Sequence, residues 1–462
     1  MLRTHTIGEV NEKLADKHVV LAGWVESIRA FKDKYFVLLK DRYGKIQVIV
    51  SSGLKGAKEI TTESCISVSG KVKKRPKEQE NKEMTSGKVE IEAEKVEIFS
   101  IAQKLPFDPK TASEDIRLQY RYLDIRLNEK LRKNLEIRHK VIAFIRDYLD
   151  KKGFLEIQTP LLTKSSPEGA RDFIVPSRIH AGKFYALPQS PQQYKQLLMI
   201  AGTDRYFQIA PCMRDEDPRA DRSPGEFYQL DIEMSFVKQK DILDITEDLF
   251  IQMVKKILPD KKITSIPFPI LTYEEAMKRY KTDKPDLRKN KNDKNELAFC
   301  WIVDFPLFEE EKEKGHYAPK HHMFTSPKEH DLKFLNSKDA HKAKSYQHDL
   351  VLNGFEVGGG SVRIHDPEIQ SKIFDLIGFD EKHKKYFSHM LTAFKYGVPP
   401  HGGIAPGIDR LLMVLLGEPN LREVIAFPKN KEGRDLVVGA PDIVFDEQLK
   451  EAHIKLDLKE KK

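Results

Sequence analysis

The first hundred residues alternate between short apolar runs and polar turns. Five runs are rich in β-branched and aromatic residues, and turn residues such as Tyr43-Gly44 and Ser86-Gly87 separate them. The runs cover residues 18–25, 35–41, 45–50, 65–72 and 89–99. Five strands in about 100 residues are typical of a small Greek-key barrel of the OB type, although any small β-domain would give the same count.

The pattern changes after the fifth run. Residues 101–116 contain two prolines and scattered polar residues, which indicates a linker. Residues 121–153 then place apolar residues at helical spacing and end in a glycine, which predicts one long helix. Beyond it, strands and helices mix without regular alternation, which favours an α+β fold. The polar, lysine-rich residues 284–296 predict a loop between core segments.

Composition narrows the classes of protein. The chain has 462 residues, of which 40% are hydrophobic, so it is long enough for roughly two to four domains. It contains no apolar stretch near 18 residues and no apolar leader, so neither membrane insertion nor secretion is expected. Three scattered cysteines cannot build a disulfide framework or zinc cluster, which favours the cytoplasm. The net charge of +8 permits a polyanionic partner without demonstrating one.

Residues 214–236 predict a hairpin whose loop is dense in charge. Arg214 could bind a phosphate bidentately, and its charge is permanent. The carboxylates of Glu216, Asp231 and Glu233 would be costly to bury without a cation or ligand. A solvated, salt-bridged hairpin is the alternative interpretation.

Two further segments combine glycines with charge. In residues 350–366, Glu356 lies on a predicted strand near Asp349, and such oxygen ligands suit Mg²⁺ bound together with phosphates. In residues 401–419, a glycine-rich turn enters an apolar helix with Arg410 in its first turn, where a phosphate could bind. The alternatives are a turn at a sheet edge and a packing helix, respectively.

Residues 159–176 and 187–199 are interpreted as loops with polar side chains. Gln192 and Lys195 are three residues apart and would be neighbours on a helix face. The adjacent residues His321-His322 would point apart and lack a third ligand, so they are not interpreted as a metal site.

Taken in order, these segments resemble the class II aminoacyl-tRNA synthetases and, more narrowly, the bacterial-type aspartyl-tRNA synthetases. Residues 153–162 are similar to motif 1 of that class, residues 205–236 to motif 2 and residues 402–413 to motif 3. The segments similar to the aspartyl subgroup are residues 166–173, 187–199, 283–288, 303–308 and 396–403.

The resemblance implies an α+β protein: an N-terminal OB-fold β-barrel followed by a class II synthetase catalytic domain built on a seven-stranded antiparallel sheet. The anticodon-binding barrel would span residues 1–104, the linker 105–117 and the catalytic domain 118–462. The folded insertion domain of the bacterial-type family would be reduced to the loop 289–298. Motif 1 would form a homodimer, with no membrane involved.

The implied activity is an aspartate–tRNA ligase. ATP would activate L-aspartate to aspartyl-adenylate in the presence of Mg²⁺, and the aspartyl group would pass to the 3′ end of tRNA(Asp), with tRNA(Asn) left open as a second acceptor. An asparaginyl-tRNA synthetase and a non-charging tRNA-binding paralogue remain the alternatives. Arg363 and Lys195 opposed by Asp231 and Glu168 would suit aspartate, because an asparagine amide would leave buried cations without a counter-charge.

The resemblance also assigns residues. Arg214 would neutralise the α-phosphate, and Arg410 would hold the γ-phosphate. The residues implied for aspartate are Glu168, Gln192, Lys195, Arg214, Asp231, His321 and Arg363. Those implied for ATP are Arg214, Asp215, Glu216, Ser223, Glu356, Gly407, Ile408, Asp409 and Arg410, and those for Mg²⁺ are Asp349 and Glu356. On the barrel, the implied anticodon contacts are Arg29, Phe36, Gln47 and Glu90, and the residues that tune tRNA discrimination are Phe31 and Glu78.

Three positions depart from the family pattern. Gly225 resembles an insertion in the motif 2 loop, Ser223 replaces a glutamine expected to meet ATP, and Ile49 replaces an aromatic residue beside Gln47. For Phe36, a core aromatic is the alternative to a base-stacking one.

Overall fold

The computed structural model describes residues 2–166, 169–217, 225–309, 315–336 and 338–458. The chain divides into two compact units, Met1–Thr111 and Ala112–Lys462. In the described residues, no helix is both long enough and apolar enough to span a bilayer.

The first unit is a closed five-stranded barrel in which the strands follow the order β1-β2-β3-β5-β4. Its strands are β1 His18–Phe31, β2 Lys34–Asp41, β3 Gly44–Ser51, β4 Cys65–Lys74 and β5 Val89–Ser100. The five predicted strands and the OB-type barrel are therefore confirmed. Buried valine and isoleucine residues alternate with outward-facing ones along each strand and fill the interior.

Strand β1 is longer than the sequence predicts because it pairs with two other strands, β4 and β2. Residues 18–24 pair with β4, and residues 24–31 pair with β2 across a bulge after Val25. Gly23 lies where these pairings meet, and a Cβ atom there would lie only 2.2 Å from the carbonyl oxygen of Lys40. The close approach of the two strands therefore requires glycine.

The second unit is built on a mixed sheet. Its strands are β6 Leu155–Glu156, β7 Ile174–Pro176, β8 Phe184–Ala186, β9 Arg205–Arg214, β10 Gly225–Ser235, β11 Lys262–Ile263, β12 Ile270–Thr272, β13 Glu296–Leu297, β14 Phe299–Val303, β15 Gln347–Leu352, β16 Phe355–Val362 and β17 His401–Pro406. Across the described residues, eight of them form one sheet in the order β12-β14-β15-β16-β17-β10-β9-β6. The expected count of seven antiparallel strands is wrong, because β12 and β6 join the two edges in parallel.

Helices pack around this sheet. They are α1 Glu114–Gln119, α2 Arg121–Leu127, α3 Glu129–Lys151, α4 Gln192–Ile200, α5 Gln239–Ile257, α6 Tyr273–Tyr280, α7 Pro367–Leu376, α8 Glu381–Tyr386, α9 Ser388–Ala393, α10 Ile408–Leu416 and α11 Asp446–Glu451. Apolar residues of α3, α5 and α10 form one core with the central strands.

Two elements predicted as continuous are each divided in two, one by a helix-capping residue and the other by a turn. The long helix is interrupted at Asn128, whose side chain accepts a hydrogen bond from the backbone N–H of Leu131 and so caps α3. Residues 350–358 form a hairpin rather than one strand, because Asn353 and Gly354 make its turn with φ values of 51° and 87°. This asparagine–glycine pair is a hairpin signal that could have been used. The predicted loop at 187–199 contains α4.

Arg121 joins α2 to the segment after α10. Its side chain is buried, with Nη1 2.8 Å from Asp124 Oδ2. Nε donates to the carbonyl oxygen of Ala426 at 2.9 Å, and Nη2 donates to that of Ile425 at 2.9 Å. Two backbone carbonyl oxygens therefore accept from this guanidinium, which shares the buried carboxylate of Asp124 with Arg117.

We expect Arg121→Met to lower the free energy of unfolding by about 3 kcal/mol, because buried acceptors lose their donor. Urea denaturation followed by circular dichroism is the measurement. Arg279→Met is the matched control, since Arg279 is exposed on α6 and should change stability by less than about 0.5 kcal/mol. Equal urea midpoints for the two variants would contradict this role of Arg121.

Candidate active site

A cavity of about 460 Å³ opens over the middle of the mixed sheet, between strands β9, β10 and β16 and the start of α10. Most of the residues that the resemblance assigns to aspartate and ATP lie together in the wall of this cavity, although they are far apart in the chain. They are Gln192, Lys195, Arg214, Glu216, Asp231, His321, Glu356, Arg363, Gly407, Asp409 and Arg410.

Other assigned residues are not brought into the cavity wall. The exposed Asp215 does not line it and pairs with Arg171, with 3.4 Å between Nε and Oδ2. The side chain of Ile408 is fully buried in the hydrophobic core, so only its backbone could contact a ligand in the cavity. The ATP contacts expected of these two residues stay predictions. Glu168 and Ser223 lie outside the described residues, and Gly225 begins β10 opposite Arg214.

Four charged side chains form the floor of the cavity. Lys195 on α4 has its Nζ 2.5 Å from Asp231 Oδ1 and 3.4 Å from Glu233 Oε2. Arg363, just after β16, donates to both oxygens of Glu233, at 2.9 and 3.1 Å. All four residues are at most 2% exposed. The two carboxylates are two residues apart on β10, so strand geometry places them on the same face.

The two floor carboxylates differ in their electrostatics. Burial raises the pKa of Asp231, and the nearby Lys195 only partly offsets this. Burial also acts to raise the pKa of Glu233, but Arg363 and Lys195 outweigh it and lower that pKa. Asp231 Oδ2 has no hydrogen-bond partner within the described part of the chain. Asp231 therefore presents a buried acceptor to a cationic group of a ligand.

Arg363 is held by neighbours on several sides. Its Nη1 donates to Nε2 of His322 at 2.8 Å and to Oγ of Ser361 at 2.7 Å, while Nε and Nη2 contact Glu233. Burial, assisted by Arg363, lowers the pKa of His322 well below its usual range, so this imidazole is a neutral acceptor. These contacts fix the plane of the guanidinium and leave an Nη2 hydrogen for a ligand carboxylate.

Two other arginines line the upper part of the cavity. Arg214, at the end of β9, donates from Nε to the carbonyl oxygen of Gln189 at 3.2 Å and stacks over Phe227, 5.1 Å from the ring centroid. Arg410, in the first turn of α10, donates from Nη1 to the carbonyl oxygen of Glu356 at 2.9 Å. Both are thereby oriented toward a space that can hold anions.

Asp409, which the resemblance assigns to ATP, contacts other parts of the protein through both carboxylate oxygens. Its Oδ1 is 2.5 Å from Nη1 of Arg138 on α3, and its Oδ2 accepts from the backbone N–H of Tyr228 on β10 at 3.1 Å. These contacts tie α10 to a helix and a strand, so its carboxylate is engaged with the protein.

The predicted metal ligands lie close to each other: Glu356 lines the cavity, and the buried Asp349 lies beside it. A Cβ atom added at Gly359 would lie 3.1 Å from Asp349 Oδ1 and 3.6 Å from Glu356 Oε1, so the glycine leaves a space between the two carboxylates. Gln347 donates to Asp349 at 2.8 Å and His321 lies 3.4 Å from it. Two hard oxygen donors beside an open space fit Mg²⁺, which usually completes its shell with water and phosphate.

Those two carboxylates also differ in their surroundings. Burial raises the pKa of Asp349. Burial acts in the same direction on Glu356, but Lys284 and Arg410 outweigh it and lower the pKa of Glu356. Nζ of Lys284 lies 3.0 Å from Glu356 Oε2. Among the described residues, no group of three His, Cys, Asp or Glu side chains could hold a metal by itself.

Sequence reasoning missed two residues of this site. From the sequence, Glu233 is interpreted only as a carboxylate that is costly to bury, although its spacing from Asp231 is the signal that places both on one face. Lys284 belongs to a predicted lysine-rich loop, and in the structure it lines the cavity.

The barrel groups its predicted anticodon residues on its outer surface. Arg29 and Phe36 are cross-strand partners, with the guanidinium carbon 5.5 Å from the ring centroid. Gln47 and Glu90 are also cross-strand partners, with Nε2 of Gln47 2.9 Å from Glu90 Oε2. Phe36 is half-buried and lies outside the hydrophobic core, so the alternative of a core aromatic is wrong.

The two residues predicted to tune tRNA discrimination are both exposed. Phe31, at the end of β1, is 58% exposed, and Glu78 lies in a short 3-10 turn between β4 and β5.

The mostly antiparallel sheet, the cavity lined by buried charged side chains and two further arginines, and the separate OB barrel are features of the class II aminoacyl-tRNA synthetases. Residues 113–431 match the family profile of class II tRNA synthetases (D, K and N), and residues 19–99 match that of the OB-fold nucleic acid binding domain. The chain belongs to this class and, within it, to the aspartate–tRNA ligase family, as its relatives show.

Two relatives illustrate the similarity. The chain is 39% identical to a protein of Rubrobacter xylanophilus and 40% identical to one of Dictyoglomus turgidum, each named aspartate–tRNA(Asp/Asn) ligase. The first alignment covers 99% of this chain and 97% of the relative, and the second covers 100% and 99%. They span 587 and 593 positions, against 462 residues here, so the relatives carry segments without a counterpart in this chain.

Solved structures show the same fold. Asparaginyl-tRNA synthetase from Pyrococcus horikoshii, complexed with asparaginyl-adenylate, superposes with a TM-score of 0.75 at 24% identity, over 93% of this chain and 98% of that one. An aspartyl-tRNA synthetase from Entamoeba histolytica gives a TM-score of 0.71 at 24% identity, over 93% and 92%.

Proposed function

We propose that this synthetase activates L-aspartate with ATP and Mg²⁺ and transfers the aspartyl group to both tRNA(Asp) and tRNA(Asn). The observation that carries the amino-acid specificity is the buried floor formed by Lys195, Asp231, Glu233 and Arg363. The names of the full-length relatives support both tRNA acceptors.

The charge pattern of the floor matches aspartate. The ammonium group of the amino acid would bind the unpartnered oxygen of Asp231, together with Gln192 and, as the resemblance implies, Glu168. Its side-chain carboxylate would bind Arg363 and Lys195. An asparagine amide in this position would turn two N–H donors toward two buried cations, and the mismatch of donors disfavours it.

Positioning and charge neutralisation carry the chemistry. The α-carboxylate attacks the α-phosphorus of ATP and pyrophosphate leaves, with Arg214 on the α-phosphate and Arg410 on the γ-phosphate. Mg²⁺, held by Asp349 and Glu356, would supply a Lewis acid for the phosphate oxygens. A terminal ribose hydroxyl of the tRNA then attacks the carbonyl carbon of the adenylate, and AMP leaves.

Charging assays with purified transcripts test this function. Radiolabelled aspartate should be attached to tRNA(Asp) and tRNA(Asn) with comparable kcat/KM, while radiolabelled asparagine should be attached to neither. Charging of asparagine would contradict the amino-acid specificity, and charging of tRNA(Asp) alone would contradict the second acceptor. A non-charging paralogue is disfavoured because Arg214, Arg410 and Glu356 share one cavity with the floor.

We further propose that the enzyme is a cytoplasmic homodimer without the folded insertion domain of its family. Apolar side chains of motif 1 support the dimer, since Leu155 is 56% and Leu162 is 52% exposed. The segment 289–298 supports the loss of the domain, because Glu296 closes it into a tight turn by accepting from the backbone N–H groups of Lys289 and Asn290.

The barrel surface would bind the anticodon. We expect Phe36→Ala to raise the KM for tRNA about 10-fold or more, because a stacked base is worth about 1–3 kcal/mol. Aspartate-dependent pyrophosphate exchange should not change, since that assay needs no tRNA. Phe99→Ala is the matched control, because Phe99 is an exposed aromatic near the end of β5. Equal effects of the two variants would remove Phe36 from the anticodon site.

A further inference from the structure

Lys284 is a cation in the cavity wall that the proposed reaction leaves without a role. It lies in the segment between α6 and β13, and its ammonium group is 3.0 Å from Glu356 Oε2. Its side chain is 43% exposed, which leaves the ammonium accessible from the cavity.

The backbone that carries Lys284 is fixed. A Cβ atom at Gly354 would lie 3.4 Å from Asp286 Cβ and 3.8 Å from the Lys284 carbonyl oxygen, so the segment packs directly on the turn of the β15–β16 hairpin. Asp286 is held by Arg288 through two contacts, at 3.0 and 2.7 Å. The lysine therefore reaches the cavity from a rigid base.

The two oxygens of Glu356 have different neighbours. Oε1 lies toward Gly359 and the carboxylate of Asp349, where the metal would bind, whereas Oε2 contacts Lys284. A metal and the ammonium group can therefore be held by Glu356 at the same time. This arrangement places a positive charge directly beside the position of metal-bound phosphates.

The negative charge of ATP exceeds the positive charge that the other proposed ligands supply, which favours a further cation at this site. ATP carries about four negative charges at neutral pH. Asp349 and Glu356 offset the charge of one Mg²⁺, which leaves Arg214 and Arg410 to face the triphosphate. When the α-phosphorus is attacked, negative charge builds up on the departing pyrophosphate. A further cation on that side stabilises the transition state.

We propose that Lys284 binds the pyrophosphate portion of ATP and stabilises it as the leaving group, with Glu356 orienting the ammonium group. This assignment rests on the proposed aspartate-activating function and adds a phosphate contact to it. Lys284 would act beside Arg410 at the β- and γ-phosphates, while Arg214 acts at the α-phosphate.

The test is Lys284→Met in the full chain, which keeps the length of the side chain and removes its charge. In aspartate-dependent exchange, we expect the KM values for ATP and for pyrophosphate to rise about 10-fold or more, as for the loss of one charge-assisted hydrogen bond. The KM for aspartate should not change. Lys284→Arg should restore most of the loss, and Lys289→Met, an exposed lysine on the same segment, should behave as wild type.

A non-hydrolysable aspartyl-sulfamoyl adenosine separates this role from a purely structural one, because it lacks the β- and γ-phosphates. Its Kd should be the same for wild type and Lys284→Met. Equal weakening of the analogue and of ATP, or an unchanged KM for ATP, would overturn the assignment. If the wild-type enzyme shows no aspartate-dependent exchange, the proposed function fails instead, and direct ATP binding to wild type and Lys284→Met still tests the contact.

Discussion

Arg363→Leu is expected to lower kcat/KM for aspartate by about 1,000-fold in pyrophosphate exchange, while ATP still binds. The guanidinium is the predicted partner of the substrate's side-chain carboxylate, and loss of one member of a buried, hydrogen-bonded charge pair typically costs about 2–5 kcal/mol or more. The proposed phosphate contacts, Arg214 and Arg410, are other residues of the cavity wall and are unchanged in this variant. Equilibrium dialysis with ATP and exchange kinetics measure the two effects separately.

The control for Arg363→Leu must address folding, because the substitution leaves Glu233 with Lys195 as its remaining cation. Arg363→Lys keeps the charge but loses the two-pronged contact, so it should fold and still lose most of the activity. Arg279→Leu, on the exposed face of α6, should leave exchange unchanged. Full exchange by a folded Arg363→Leu enzyme would show that Arg363 does not bind aspartate.

Arg214→Ala is expected to lower kcat for exchange by about 100- to 1,000-fold. Under the proposed function the side chain would face the charge that develops at the α-phosphorus, and preorganised donors at such a position contribute mainly in the transition state. The KM for ATP should change much less than kcat, which distinguishes Arg214 from Lys284. Single-turnover formation of aspartyl-adenylate is the direct measurement.

Arg214→Lys separates charge from geometry in the same assay. A lysine keeps the positive charge but lacks the planar, forked donors of arginine, so we expect it to recover only a small part of the lost rate. Arg279→Ala is the matched control on the exposed surface. A kcat near wild type for Arg214→Ala would exclude Arg214 from the chemical step.

Strand periodicity and turn residues predict the barrel well, because each of its strands alternates buried and outward residues. The contacts within the cavity floor are harder to predict from such sequence patterns. Lys195, Asp231 and Arg363 follow from the resemblance and a charge argument, and the spacing of Glu233 from Asp231 predicts that both lie on one face. The contacts of Glu233 with Arg363 and Lys195 are known only from the folded sheet. The sequence shows which residues are charged, but the pairing of the strands determines which charged side chains contact one another.

Asp215 and Ile408, which the resemblance assigns to ATP, do not line the cavity, and both cases have the same physical cause. Asp215 and Ile408 are adjacent in sequence to Arg214 and to Gly407, and neighbouring residues on a strand or helix point in different directions. Ile408 therefore enters the core while Gly407 lines the cavity. Lys284 lies in residues 283–288, which resemble the aspartyl subgroup, but no local pattern predicts its contact with Glu356, because the two residues are far apart in the chain.

The cavity floor pairs its cations with carboxylates of the protein itself, which has a consequence for substrate exchange. Under the proposed assignment, aspartate would share Lys195 and Arg363 with the carboxylates of Asp231 and Glu233, so part of the attraction of each cation is already used within the protein. Because these internal contacts hold the side chains in place, binding would require little ordering of them. The affinity for free aspartate should therefore be modest for so many contacts, and an enzyme that retains its amino acid loosely before activation can reject a wrong one quickly.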